Sequence, residues 1–199
     1  MKPKKVFLAS GSPRRKELLK YIFDEFEVKV PVYEEDEPQK DENAFDYVKR
    51  MAKGKAEAFA SQFIDLLSDG DIFITADTVV SKDGKIFGKP TDRSDAKSTL
   101  TALSGKKHEV ATAFTIGTFN SKNFDFKVCI CVTDVFFRNL SERELETYLD
   151  SDEPWDKAGS YGIQGAASVF VEKINGNYHN VVGLPVSILK ETLIELEII

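Results

Sequence analysis

The run Val6-Phe7-Leu8-Ala9-Ser10-Gly11-Ser12-Pro13-Arg14-Arg15-Lys16 decides how the chain is read. Four apolar residues suit a short buried strand, Ser10-Gly11-Ser12 suits a turn, and Pro13 suits the first position of a helix capped by Ser12. A strand that turns at once into a helix is an opening unit of an α/β fold. The run is also electrostatically odd. A helix N-terminus carries about half a positive charge, yet Arg14, Arg15 and Lys16 follow one another there. Either an anion compensates them, with hydroxyls, free N–H groups and guanidinium groups forming a phosphate cradle, or they are a solvated basic helix end.

Working outward, residues 26–32 read as a second strand that ends in Glu34-Glu35-Asp36-Glu37. Residues 43–67 form the longest helix, with Val48, Ala52, Ala56, Phe59, Ala60 and Phe63 as its apolar stripe. Ile72-Phe73-Ile74-Thr75-Ala76 is a buried strand with Asp77 at its far end, and residues 79–86 form a hairpin around Asp83-Gly84. Residues 92–103 form a helix closed by Gly105. Residues 109–118 and 124–137 alternate as an antiparallel pair joined across 120–123. Ser141-Glu142-Arg143-Glu144 is a capping box opening a helix to Leu149. After a loop at 151–168, a hairpin over 169–178 turns at Asn175-Gly176, and Pro185 starts the last helix. The expected fold is α/β, a mixed, strongly twisted sheet with flanking helices.

At 199 residues with no repeat or linker, the chain reads as one domain over 1–199. Hydrophobic residues at 42% and charged residues at 30% are ordinary for a globular protein. With 27 basic and 33 acidic residues the net charge is -6, which argues against nucleic acid or an anionic membrane as a partner held by bulk charge. No apolar run approaches the roughly 18 residues of a membrane span. Met1-Lys2-Pro3-Lys4-Lys5 has the charge of a secretory leader, but the apolar run behind it is too short. Cys129 and Cys131, two apart on one strand, read as buried free thiols in a reducing compartment, and the expected location is the cytoplasm. A homodimer is the commonest assembly for such a protein.

Four features carry candidate chemistry. Ligands of open α/β sheets collect at the carboxyl ends of strands, so Asp77 is a candidate metal ligand or general base, unless it serves the next turn. Glu34 and Glu35 supply further carboxylates for a hard metal or belong to a solvated loop. Lys55 falls on or beside the apolar stripe of its helix and either faces inward or snorkels along the core. The loop at 151–168 is dense in small and polar residues, with Gln164 able to read a base through its amide or to serve a turn-rich connector. Lys89 is by position a loop lysine, His108 and His179 lack metal-type neighbours, and there is no Walker A sequence.

Six blocks in order resemble the Maf family of nucleoside triphosphate pyrophosphatases: Leu8 to Arg15, Ala76-Asp77-Thr78-Val79-Val80, Gly88-Lys89-Pro90, Leu103-Ser104-Gly105 ahead of His108, Asp156-Lys157-Ala158-Gly159 through Gly165, and Val181 to Pro185. The resemblance implies two lobes around a cleft, akin to the inosine triphosphate pyrophosphatases, and Mg²⁺ or Mn²⁺ dependence. It also implies release of pyrophosphate from a nucleoside triphosphate. It is closest to the dTTP/UTP branch, because Arg14, Thr78 and Gln164 stand where the 7-methyl-GTP branch has a bulky aromatic, Gln and Glu. It makes Asp77 the proton acceptor, Glu35 and Asp77 metal ligands, and Ser10, Arg14, Arg15, Lys55, Thr78, Lys89 and Gln164 substrate ligands. Trp155 is bulkier than the aliphatic residue expected there. Other readings are a non-catalytic nucleotide-responsive regulator of septum formation and a pyrophosphatase for modified purines.

Overall fold

The computed structural model describes residues 5–121 and 123–199. The basic start at 1–4 and Lys122 of the turn at 120–123 lie outside the described residues. Strand β1, Val6–Leu8, leads into helix α1, Pro13–Leu19, where the Ser12 hydroxyl accepts the Arg15 amide at 3.4 Å as the N-cap. Strand β2 is Glu27–Val28 and helix α2 is Ala44–Gln62, capped by the Asn43 side chain. Strand β3, Ile72–Lys82, turns through Asp83 and Gly84, both left-handed at φ 51° and 79°, into β4, Lys85–Phe87. Helix α3, Arg93–Leu103, precedes the long strands β5, Lys107–Asn120, and β6, Asn123–Phe137. Helix α4, Glu142–Leu149, carries the expected capping box, and β7, Val171–Asn175, α5, Tyr178–Val182, and α6, Val186–Glu195, complete the chain.

The strands form one sheet in the order β2-β1-β3-β5-β6-β7, with β4 also on β3. It is mixed: β1 lies parallel to β2 and β3, and the remaining pairs are antiparallel. Alternation along β3 divides the core. Ile72, Ile74 and Ala76 pack with Leu18, Leu19, Leu189 and Leu193 of α1 and α6. Phe73 stacks on Phe59 of α2 at 4.5 Å, and Val79 joins Val48 and Ala52 of the same helix. Val80 belongs to a third cluster with Leu100 and Leu103 of α3 and Leu145 and Leu149 of α4. Each such fully buried side chain contributes about 1.5–3 kcal/mol. Helix α2 thus serves one face of β3 along its length, whereas two separate clusters cover the other. Thr78 falls between them.

Four expectations need correction. The strand at 26–32 shrinks to Glu27–Val28, because β1 offers partners only at Phe7 and Leu8. Further on, Val32 bonds instead to the side-chain amide of Gln62, at 2.9 and 2.7 Å. The helix at 43–67 ends at Gln62, since the Phe63 backbone leaves helical geometry, and a single 3-10 turn follows at Ile64–Leu66. The hairpin at 169–178 has one strand limb, as Asn177 beyond the turn caps α5 rather than starting a strand. Asp77 does not end its strand: β3 runs on to Lys82. The two cysteines are free, Cys131 buried and Cys129 partly so. Among the described residues no helix is long and apolar enough to cross a membrane.

Candidate active site

Asp77 sits in mid-strand but beside a gap. On one edge β3 pairs with β5 throughout. On the other, the β1 ladder stops at Ile74, whose carbonyl takes the Ala9 amide at 2.8 Å, and the β4 ladder starts at Val80. The notch between them gives Asp77 the open position that a strand end would have given.

On the α2 face of this notch, the Lys55 ammonium donates to Glu35 Oε1 at 2.6 Å and to Asp77 Oδ1 at 2.7 Å. The inward reading of Lys55 therefore replaces the snorkelling one. The Thr75 hydroxyl donates to the Ala52 carbonyl at 2.7 Å, fastening β3 to α2 just before Lys55. Lys55 and Asp77 expose 15% and 11% of their side chains, enough to meet a ligand but not to be freely solvated. Partial burial alone would raise the Glu35 carboxyl, but the hydrogen bond from Lys55, with the charges of Lys55, Lys89 and Arg15, holds it below its ordinary value. Burial, then the negative charges of Asp77 and Glu35, push the Tyr47 phenol up to about 12, so it stays a neutral donor. Among the described residues no three His, Cys, Asp or Glu side chains cluster as a metal site.

The other face of the notch is held by hydrogen bonds. Arg15 Nε donates to the Gly183 carbonyl at 2.9 Å, Nη1 to the Ala76 carbonyl at 2.7 Å and to Ser10 Oγ at 3.3 Å, and Nη2 to Thr78 Oγ1 at 3.0 Å. Four of its five N–H donors are thus taken by the protein, and the bond to Ala76 answers a carbonyl that the missing strand leaves open. Burial works against the Arg15 charge and lowers its pKa, while Asp77 supports that charge. Ser10 Oγ also accepts the Ser12 amide at 3.3 Å.

Arg14 donates to Asp156 Oδ2 at 3.1 Å, and Lys157 to Asp156 Oδ1 at 2.6 Å. Of the three basic residues at the start of α1, Arg14 thus meets a carboxylate of the chain itself, one that it shares with Lys157. The loop at 151–168 is built of short 3-10 turns at Pro154–Asp156, Ala158–Ser160 and Ala166–Phe170. The Glu153 carboxylate fastens it by accepting the Ala166 and Ala167 amides at 2.6 and 3.3 Å. Gln164, on this loop, and Lys89, after β4, are exposed.

A cleft of about 650 Å³ brings together Ser10, Arg14, Arg15, Glu35, Lys55, Asp77, Thr78, Lys89 and Gln164, the nine residues that the resemblance assigns to the site. That volume suits a nucleotide-sized ligand. Glu34 and Trp155 are not among the residues lining it. His108 is buried against the Tyr161 hydroxyl at 2.8 Å, and burial lowers its pKa to about 4, so it is a neutral core residue. Tyr33, Tyr47, Asp156 and Lys157 also line the cleft and were not singled out by residue type. For Tyr33 one signal could have served, the glycine inside the long helix. Gly54 interrupts α2 at a cost of about 1 kcal/mol against Ala, and any Cβ there would collide with the Tyr33 phenol, which lies over the helix beside Lys55.

Residues 5–196 match the family model described as "Maf-like protein". A protein of Clostridium botulinum (strain Okra / Type B1) named dTTP/UTP pyrophosphatase is 42% identical over 193 residues, 97% of each chain. One of Aliivibrio fischeri (strain ATCC 700601 / ES114) with the same name is 46% identical over 180 residues, covering 90% of this chain and 92% of its own. Together the match over nearly the whole chain and the gathering of the motif residues in one cleft lead to one conclusion: this chain belongs to the Maf family.

Proposed function

We propose that the protein hydrolyses nucleoside triphosphates to the monophosphate and pyrophosphate, with dTTP and UTP as substrates. The observation that carries this is Lys55 held between Glu35 and Asp77 in a nucleotide-sized cleft, in a chain whose relatives are named dTTP/UTP pyrophosphatases. Asp77 takes a proton from water as the water attacks the α-phosphorus, and the bond from that phosphorus to the bridging oxygen breaks to release pyrophosphate. General-base catalysis of this kind supplies about 10²–10⁴-fold in rate. Lys55, Lys89 and Arg14 neutralise and position the phosphates. Arg15, with most of its donors engaged, acts chiefly by holding Ser10, Ala76 and Thr78 in place.

Glu35 and Asp77 are two carboxylates on one ammonium, a hard-oxygen donor set that fits Mg²⁺ or Mn²⁺ when substrate phosphate oxygens complete the shell. Bound there, such an ion would add charge neutralisation to that of the lysines. Glu35, held below its ordinary pKa, is ionised and available for that role at neutral pH. The likeness to a two-lobed inosine triphosphate pyrophosphatase, a single domain over 1–199, a cytoplasmic location and a homodimer belong to the same reading. A purely regulatory nucleotide-binding protein needs the cations but not a carboxylate beside the phosphates, so the placement of Asp77 favours an enzyme.

The test is a panel of dTTP, UTP, CTP, 7-methyl-GTP and inosine triphosphate with Mg²⁺ or Mn²⁺, the products separated by anion exchange. UMP and TMP with pyrophosphate are expected from the wild type, and loss of both from Asp77→Asn. Formation of the nucleoside diphosphate and orthophosphate, or undiminished turnover by Asp77→Asn, contradicts the assignment.

A further inference from the structure

The hydrogen atoms on the Arg15 face of the cleft can be counted, and the count fixes what Thr78 offers a ligand. Asn180 is fully buried and its amide is completely engaged: Oδ1 accepts the Thr112 amide at 3.0 Å, and Nδ2 donates to the Val110 carbonyl at 2.8 Å and to Thr133 Oγ1 at 2.9 Å. The Asn180 main-chain carbonyl accepts from Thr112 Oγ1 at 2.9 Å. A carbonyl has no proton, so the single hydroxyl hydrogen of Thr112 lies in that bond. The 2.9 Å contact between Thr112 Oγ1 and Thr78 Oγ1 must then be donated by Thr78. Thr78 Oγ1 already accepts from Arg15 Nη2 at 3.0 Å. With its hydrogen and one lone pair taken, Thr78, a residue that lines the cleft, keeps one lone pair for a ligand.

We propose that Thr112 and Asn180 are positioning residues that make Thr78 an acceptor toward substrate, and that this polarity selects the N3–H of uracil and thymine over the unprotonated N3 of cytosine. The inference rests on the reading above of a pyrophosphatase for pyrimidine nucleoside triphosphates and adds the atoms that set its specificity. A phosphate oxygen, itself an acceptor, has no favourable contact to make with Thr78, so the residue serves recognition and not phosphate binding. Thr78 is partly buried, so a ligand that covers its acceptor without supplying a donor leaves that acceptor unpaired and is used less well.

Pyrophosphate release from UTP, 3-methyluridine triphosphate and CTP would be compared in the wild type, Thr78→Val, Thr112→Val and Thr112→Ser. The wild type is expected to use 3-methyluridine triphosphate about tenfold less well than UTP, mostly through KM. Thr78→Val should narrow that gap. Thr112→Val frees the Thr78 hydrogen for donation, so its preference for UTP over CTP should fall about tenfold. Thr112→Ser keeps the hydroxyl and should restore it. A merely structural role would lower turnover of all three nucleotides alike. Equal use of UTP and 3-methyluridine triphosphate by the wild type, or an unchanged gap in Thr78→Val, overturns the inference even if Thr112→Val fails to fold. So does an unchanged UTP preference in folded Thr112→Val. Wild-type turnover of UTP with no dependence on N3 sinks this inference alone, whereas no pyrophosphate from any nucleotide sinks the activity on which it rests.

Discussion

The two faces of β3 at the notch are built from opposite materials. Toward α2 lie charges: Lys55 between Glu35 and Asp77. Toward α5 lies an ordered chain of largely neutral hydrogen bonds from Asn180 through Thr112 and Thr78 to Arg15. Adjacent residues of a strand point to opposite faces, so Asp77 and Thr78 deliver one to each. A single step along the backbone separates the group proposed for chemistry from the group proposed for recognition. The charged face can respond to pH and to a ligand. The neutral face is rigid, since nearly every donor in it has a fixed acceptor.

The contrast can be broken by substitution, and the largest effect belongs to the charged face. Asp77→Asn should lower kcat about 10²–10⁴-fold with little change in melting temperature, read by pyrophosphate release and calorimetry. A comparable loss from a residue of the neutral face with its fold intact would erase the distinction. The neutral face should fail through stability instead. Asn180→Ala leaves the Thr112 amide and the Val110 carbonyl buried without partners and should cost about 3 kcal/mol in urea unfolding. Lys55→Met removes the donor that holds Glu35 down, so the Glu35 carboxyl should rise and turnover fall about 10²-fold. Carbon-13 detected titration of the carboxyl reads the first effect.

The legibility of these features in the sequence divides along a similar line. The Ser12 cap, Pro13 at the helix start, the Asp83-Gly84 turn and the capping box at Ser141 are local, settled by a few neighbouring residues, and the structure has each of them. The notch is not local. It exists because β1 stops at Leu8 and β4 starts at Lys85, two elements far apart in the chain that share one edge of β3. Periodicity located Asp77 in an apolar run but not its open neighbour, so the strand was expected to end there. Helical spacing put Lys55 on or beside the apolar stripe but left inward-facing and snorkelling open, because the partners that decide it lie 20 and 22 residues away. The basic start of α1 suggested an external anion, and the Asp156 that meets Arg14 lies 142 residues away. Residues 26–32 have a strand-like composition, yet the Gln62 side chain takes the place of a partner strand at Val32.

Smaller effects sharpen the same contrast. Because Glu35 is held below its ordinary pKa, its pairing contributes stability above about pH 4.5, and that contribution is lost as pH falls through the lowered value. The wild type should therefore lose more stability than Glu35→Gln between pH 5 and 3, measured by denaturant titration across that range. The exposed Arg14–Asp156 pair should contribute least: Asp156→Asn is expected to change stability by under about 0.5 kcal/mol while raising KM several-fold.

The proposal that Asp77 acts beside the α-phosphorus is most directly tested by the fate of the attacking oxygen. Hydrolysis of UTP in water enriched in oxygen-18, followed by mass spectrometry of both products, should place the label in UMP and leave the pyrophosphate unlabelled. Label in the pyrophosphate, or in released orthophosphate, would contradict attack at the α-phosphorus and with it the role given to Asp77.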